Sequence, residues 1–290
     1  MRFRIRHEIS QSFEPGSRNI AAVARLTPRP YEGQFIQRWT LDVDGDFCLH
    51  GQEDAYGNLC HAFTVDGPVD HVTVTADGEV ETVDTSGIVR GTVERFPVEL
   101  YLRTTDLTLP NGGVIDFAEA VQKDADPLAH LHALMLAVHE KVEQRPDTPS
   151  GDTLDAATVL EKGGACSGSI THLFTAAARH LGIPARHVSG YFATEDTGSV
   201  RHWAEAYVPK IGWIAFDSGQ KLCATESHLR LAVGLDALGV APLRTTGTDL
   251  KETISIRSGR VLRNGSVRNP PLNTQVQHDT LGQAQSQQQS

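Results

Sequence analysis

Apolar and polar positions alternate through most of the first hundred residues. The stretches "RFRIRHEI", "NIAAVARLTP", "FIQRWTLDVDG", "HVTVTADGEVETVDTS" and "GIVRGTVERF" carry short runs of period two. That is the period of a strand with one face on a core. Turn dipeptides interrupt them at Asp44-Gly45, Gly57-Asn58 and Asp77-Gly78. Asp77-Gly78, set between two alternating runs, predicts a hairpin. Short strands at this spacing predict an antiparallel sandwich or small barrel.

The period then changes. Leu128, Leu131, Leu134, Met135, Val138 and Val142 recur at helical spacing. Asp126 is a suitable N-cap before them, and Pro127 suits the first helical position. "TLDAATVL" predicts a shorter helix before Gly163-Gly164. From Cys166 a third helical pattern places Ile170, Leu173, Phe174, Ala177 and Leu181 on one face; Gly182 stops it and Pro184 follows. Strand patterns return in "ARHVSGYF", "RHWAEAYV", "GWIAFDS" and "KETISIRS". Strands, then helices, then antiparallel-looking strands predict an α+β fold. The expected division is a β-rich region 1–105, a linker 106–126 with one short helical turn, a core 127–260 that includes the last strand, and a polar, disordered tail 261–290.

Composition narrows the partners. Of 290 residues, 39% are hydrophobic and 21% charged, as in a soluble globular protein, and the formal net charge is -10. With no basic block, nucleic acid and anionic membrane are not expected as main partners. No apolar run approaches the roughly 20 residues of a membrane span. The opening "MRFRIRHEIS" reads as a strand and not as a secretory signal. The four cysteines, Cys48, Cys60, Cys166 and Cys223, show no CxxC spacing. They are expected to be reduced thiols in a cytoplasmic protein.

Cys166 follows a Gly-Gly turn at the head of a helix, where the macrodipole favours a thiolate. A nucleophilic thiol also needs a base or ion-pair partner and a group to orient it. His202 opens the strand pattern "RHWAEAYV" and Asp217 ends "GWIAFDS"; Pro209 to Gly212 between them looks like a tight hairpin connection. If the helix start packs on their sheet, Cys166, His202 and Asp217 converge in that chain order. Taken singly, each has a plainer reading: a buried packing thiol, a surface or core histidine, and a turn aspartate.

"GGAC", "HLFTAAARHLGIPARHVSGYF" and "HWAEAYVPKIGWIAFDSG" together resemble the core of the transglutaminase-like superfamily. The earlier "LTPRP", "LDVD" and "DAYGN" segments resemble the β-rich region that precedes this core in bacterial members, and "ESHLRLAVGLDALGVAPLRT" resembles their continuation. The resemblance spans about residues 1 to 258. It implies a papain-like arrangement, in which a helix-borne cysteine packs against a sheet carrying histidine and aspartate. It further implies action on amide or peptide bonds through a thioester, no cofactor, and a peptide or protein substrate. Relatives also hint at a pathway shared with peptide-ligase (ATP-grasp) and proteasome-like proteins.

The sequence departs from that family pattern in three places. Members usually read His-x-Trp, whereas this chain reads Arg201-His202-Trp203, so the register of Trp203 puts Arg201 in the histidine place. One step along a strand turns a side chain to the opposite face, so His202 serves only if a bulge re-aims it. Ser167, Gly168 and Ser169 follow the cysteine where relatives often carry amide or acidic residues. Ser218-Gly219-Gln220 follows the aspartate in place of a Pro-Thr-Asn type of run. Two functions therefore stand open: a cysteine amidase or protease acting through Cys166, His202 and Asp217, or an interaction module on the same fold.

The remaining candidates have structural readings. Trp203 and Trp213 are expected in the core, His187 as a core histidine and back-up base, and His180 near a helix C-terminus. His172 is a candidate for lining the site. His130, His132 and His139 lack i, i+4 pairing for zinc. Cys223 reads as a buried thiol, and Arg179 and Arg186 as structural. The Cys166 backbone N–H is one oxyanion donor; an upstream side chain, unidentified by sequence, would supply a second.

Overall fold

The computed structural model describes residues 1–45, 48–121, 124–147, 153–193, 198–246 and 249–259. In chain order the first strands are β1 (Arg2–Ser17), β2 (Ile20–Thr27), β3 (Gln34–Val43), β4 (His50–Glu53), β5 (Leu59–Val65), β6 (Val69–Thr82) and β7 (Ile88–Val89). Next come α1 (Gly112–Ala120), α2 (Pro127–Lys141), β8 (Glu143–Gln144), α3 (Ala156–Lys162), β9 (Gly164–Ala165) and α4 (Ser167–His180). The chain closes with β10 (Ala185–Ala193), β11 (Gly198–Val208), β12 (Gly212–Asp217), β13 (Leu222–Cys223), β14 (His228–Gly234), β15 (Leu243–Arg244) and β16 (Asp249–Gly259).

Two four-stranded antiparallel sheets, in the orders β16-β1-β6-β3 and β15-β2-β5-β4, form the expected sandwich. Alternate residues of β1 and β6 turn inward, and Phe3, Ile5, Ile9, Val72 and Val74 share one core with Ile20, Leu26 and Phe63 of the other sheet. A second antiparallel sheet system, ordered β13-β12-β11-β10-β14 with β7 beside β12, lies under the helices. Its helix-facing side contributes Ala185, Ala204, Ala206, Val208, Ile214 and Phe216 to the core of α1–α4. The small side chains let α4 sit close, and its Leu173 and Phe174 are fully buried there. Cutting Leu173 to Ala would cost about 2–5 kcal/mol.

Local signals placed several elements well. Asp126 caps α2, accepting from Leu128 N, with Pro127 in the first turn. Asp155 caps α3, and Gly163 ends it in the left-handed region at φ 63°. Gly57-Asn58 lies in the connection between the paired strands β4 and β5.

Three expectations are corrected. Asp77-Gly78 makes no hairpin: both residues lie inside β6, paired with β1 and β3. Gly78 is there because the Trp39 ring lies on it, and a Cβ would collide with that ring. The 106–126 segment is more than a linker. It holds α1, capped by Asn111, whose Val114 and Ala118 are fully buried in the helical core. Burial there outweighs the weak propensity of its two leading glycines. The last strand, β16, belongs to the sandwich and not to the core: it pairs with β1 from Arg2↔Gly259 to Ser12↔Asp249. Hydrophobic pattern shows that a strand exists but not which distant edge it joins. The polar segment 261–290 lies outside the described residues.

Candidate functional site

Cys166 is the N-cap of α4, with extended backbone and no side-chain cap bond. Its Sγ lies 3.3 Å from Ser169 Oγ, one turn on. The cap is supplied from elsewhere: Asp147 Oδ1 accepts from both Ser167 N and Ser167 Oγ at 2.8 Å. Ser167 Oγ in turn accepts from the His202 backbone N at 2.9 Å, which ties the helix head to β11. Burial raises the Asp147 carboxyl, and the Ser167 bonds offset this only in part.

Strand parity decides what else reaches this helix start. β11 pairs with β10 without a break from Ala206↔Ala185 to Gly198↔Ala193, so no bulge re-aims His202. The His202 ring turns to the helix side, packing on Gly168, where a built Cβ would lie 3.6 Å from its Cγ. There its Nδ1 meets His187 Nε2 at 2.9 Å. His187 stacks edgewise on His202 at 5.1 Å and tilts against His172 at 5.0 Å between ring centroids. His172 is fixed at both nitrogens: Nδ1 lies 2.8 Å from Leu154 O, and Nε2 accepts from Ala237 N at 3.1 Å. Burial pushes His172 and His202 down to about 4 and His187 well below its ordinary value. These rings are neutral packing groups at neutral pH, and His172, a candidate for lining the site, is fully buried.

Arg201 turns the other way, onto the face that carries Asp217. Its Nε donates to Asp217 Oδ2 at 2.7 Å and its Nη2 to Asp217 Oδ1 at 2.6 Å. Arg201 is 3% exposed and Asp217 1%. His228 Nε2 lies 3.3 Å from Asp217 Oδ2, and Gln220 N also donates to this carboxylate. Burial alone would raise Asp217, but the bonds from His228 and Arg201 and the Arg201 charge outweigh it and hold the carboxyl below its ordinary value. The expected constellation is therefore split. His202 packs on the head of α4, while Asp217 is paired with Arg201 and not with His202.

Two residues near the cysteine were not singled out in the sequence. Gln144 pairs with Ala165 in the short parallel ladder β8–β9, one residue before Cys166, and its Oε1 accepts from Arg201 Nη2 at 2.7 Å. Asp147 is the other. Neither carries a local motif, because both reach α4 through a connection specified only in three dimensions. Further along the Arg201 face, Glu205 is fully buried between Arg186 and Arg230, which donate to it at 2.7 and 2.8 Å. The Arg186 guanidinium also lies 3.9 Å from the Trp213 ring centroid. Arg179 donates to the carbonyls of Tyr101, Ala185 and Leu235, a structural role as expected. Cys223 is pushed up to about 11 by burial. His180 meets Glu119 at 3.2 Å. Among the described residues no group of histidine, cysteine or acidic side chains is arranged to hold a metal ion, and no helix is long and apolar enough to cross a membrane.

A helix-borne cysteine set against an antiparallel sheet, with a β-sandwich in front, defines a class of thiol-bearing folds. Comparison with known proteins places the chain within it. Residues 115–218 match the model of the transglutaminase-like superfamily, and residues 3–81 match the bacterial transglutaminase-like N-terminal region. The two matches together take up more than half of the chain, which belongs to the transglutaminase-like superfamily. An uncharacterized protein of Mycobacterium leprae is 24% identical over 261 residues, covering 84% of this chain and 92% of its own. A solved Cytophaga hutchinsonii structure, described as a "putative cysteine protease", superposes with a TM-score of 0.71 at 17% identity, over 96% of this chain and 94% of that one. This likeness shows the fold. The periplasmic domain of TgpA from Pseudomonas aeruginosa aligns at a TM-score of 0.39 and 13% identity, over 76% of this chain and 90% of its own.

Proposed function

We propose that the chain is a transglutaminase-like protein that binds a peptide or protein acyl group at Cys166 without hydrolysing it through a Cys–His–Asp relay. One observation carries this reading: Asp217, the residue that would orient the base, holds Arg201 in a two-bond fork. An arginine does not lose its proton in a protein, so it takes none from a thiol. Among the described residues His202 makes no hydrogen bond to a carboxylate; its Nδ1 is bonded to His187 instead. The thiol is retained at a helix start beside a glycine turn and is partly exposed.

A second reading is a cysteine amidase or protease. It is favoured by the retained Cys166 at the head of α4 and by the description of the Cytophaga relative. In that reading Cys166 attacks an amide carbonyl, the leaving amine takes a proton, and water hydrolyses the thioester.

The two separate by experiment. The purified chain is incubated with a mixed peptide library, and amine release is followed alongside iodoacetamide labelling of Cys166 from pH 6 to 9. The binding reading expects no amine release above that of Cys166→Ala, and labelling rates that are the same in wild type and His202→Ala at every pH. Release that disappears in Cys166→Ala would establish the hydrolase instead.

A further inference from the structure

We propose that Arg201 is a positioning residue that holds the Gln144 side-chain amide as a hydrogen-bond donor for a neutral acyl carbonyl at Cys166. This rests on the reading that Cys166 marks the ligand site, and it names the group that the ligand presents.

The argument begins with which end of the amide faces which way. A glutamine amide can be turned by 180° with little change in shape, so its partners decide its orientation. Here the partner is a guanidinium, which only donates. Arg201 Nη2 therefore fixes Gln144 Oε1 toward itself at 2.7 Å and leaves the amide NH2 directed away from the arginine. Arg201 is itself immobilised by the two bonds to Asp217, both partners being almost fully buried. Asp217 is held in turn by His228 and Gln220 N. The result is a chain of fixed groups, Asp217 to Arg201 to Gln144, that ends in a donor.

The surroundings are shaped for this donor. Gln144 is set by the β8–β9 ladder directly beside Ala165, the residue before the cysteine, and Arg145 N donates to Ala165 O at 2.8 Å. Gly219 leaves the amide its space: a Cβ there would collide with Gln144 Oε1 and lie 2.7 Å from Arg201 Nη2. So the Gly219 that departs from the usual run after the aspartate has a physical reason. Arginine in the histidine place removes a base from the aspartate and adds an anchor for an upstream amide. Preorganised N–H donors of this kind favour a carbonyl oxygen, most of all when it gains negative charge.

The test uses two probes that make different demands on the same thiol. With p-nitrophenyl acetate the Cys166 sulfur bonds to the acyl carbon, the ester C–O bond breaks, nitrophenolate leaves with the electron pair, and the thiol proton passes to solvent. The carbonyl oxygen gains charge on the way. With iodoacetamide the sulfur bonds to the methylene carbon and iodide leaves, so no carbonyl oxygen gains charge. The acylation burst divided by the alkylation rate therefore reads the donor.

Gln144→Leu is expected to lower this ratio about tenfold or more. Arg201→Met, which frees the amide, is expected to lower it similarly, whereas Arg201→Lys, still donor-only, retains most of it. Gln144→Glu, which turns only acceptors toward the ligand, behaves like the leucine variant. Circular dichroism checks that each variant is folded. An unchanged ratio in folded Gln144→Leu overturns the proposal while leaving the binding reading intact. Failure of wild-type Cys166 to react with iodoacetamide overturns both.

Discussion

On one side of β11, Arg201, Trp203 and Glu205 look onto a face where the charges meet opposite charges. Arg201 holds Asp217, and Glu205 joins Arg186 and Arg230. On the other side His202 faces the helices with Ala204 and Ala206, and its Nδ1 meets another neutral ring. The two faces are one residue apart in sequence and differ completely in chemistry. An imidazole on the first face would have a carboxylate waiting; on the second, among the described residues, His202 has no carboxylate bonded to it, and burial keeps it uncharged. In this fold the identity of a histidine matters less than the parity of its position.

The largest expected effect lies on the charged face. Glu205→Ala leaves Arg186 and Arg230 buried without their shared carboxylate, and is expected to cost about 3–5 kcal/mol in urea unfolding. A loss below about 1 kcal/mol would mean that this face does not depend on its pairing.

Next comes pH, acting on the helix face. In the folded chain His172 is pushed down to about 4 and His187 well below its ordinary value, both by burial, but both take protons in the unfolded chain near 6.5. Their contribution to stability is thus complete above about pH 6.5 and is lost as pH falls toward 4. Going from pH 7 to 5.5 should cost about 2 kcal/mol for the two rings together. His187→Leu should flatten that slope, and an equal slope in the variant would remove the histidines as its cause.

The smallest effect is the most informative about the site. Arg201→His moves an imidazole onto the Asp217 face and is expected to raise Cys166 alkylation at near-neutral pH about tenfold. His202→Ala should leave it unchanged. If the two substitutions had the same effect, the contrast between the faces would not govern the thiol.

Much of this contrast was legible in the sequence. The family match fixed Trp203 in its register, and the two-residue period then put Arg201 and His202 on opposite faces. The caps of α2 and α3 and the start of α4 were equally local, set by Asp126, Asp155 and the turn before Cys166. What failed to show was non-local. Gly78 reads as a turn until Trp39 is known to lie on it. Gln144 and Asp147 gain meaning only when the chain brings them to the head of α4. Glu205 reads as a strand residue until Arg186 and Arg230 close around it.

The pairing of β16 with β1 has a consequence in time. These strands are joined along Arg2↔Gly259 to Ser12↔Asp249, with the whole cysteine-bearing unit between them in the chain. During synthesis β1 emerges before the cysteine-bearing unit, and its neighbour β16 only after it. Until then one edge of the sandwich is an open ladder, and His7, whose Nε2 meets Glu252 at 2.6 Å in the finished protein, lacks that partner. The nascent chain must therefore carry an exposed strand edge while the thiol unit folds. The late arrival of Leu250 to Ile256 is the step at which it becomes safe from pairing with other chains.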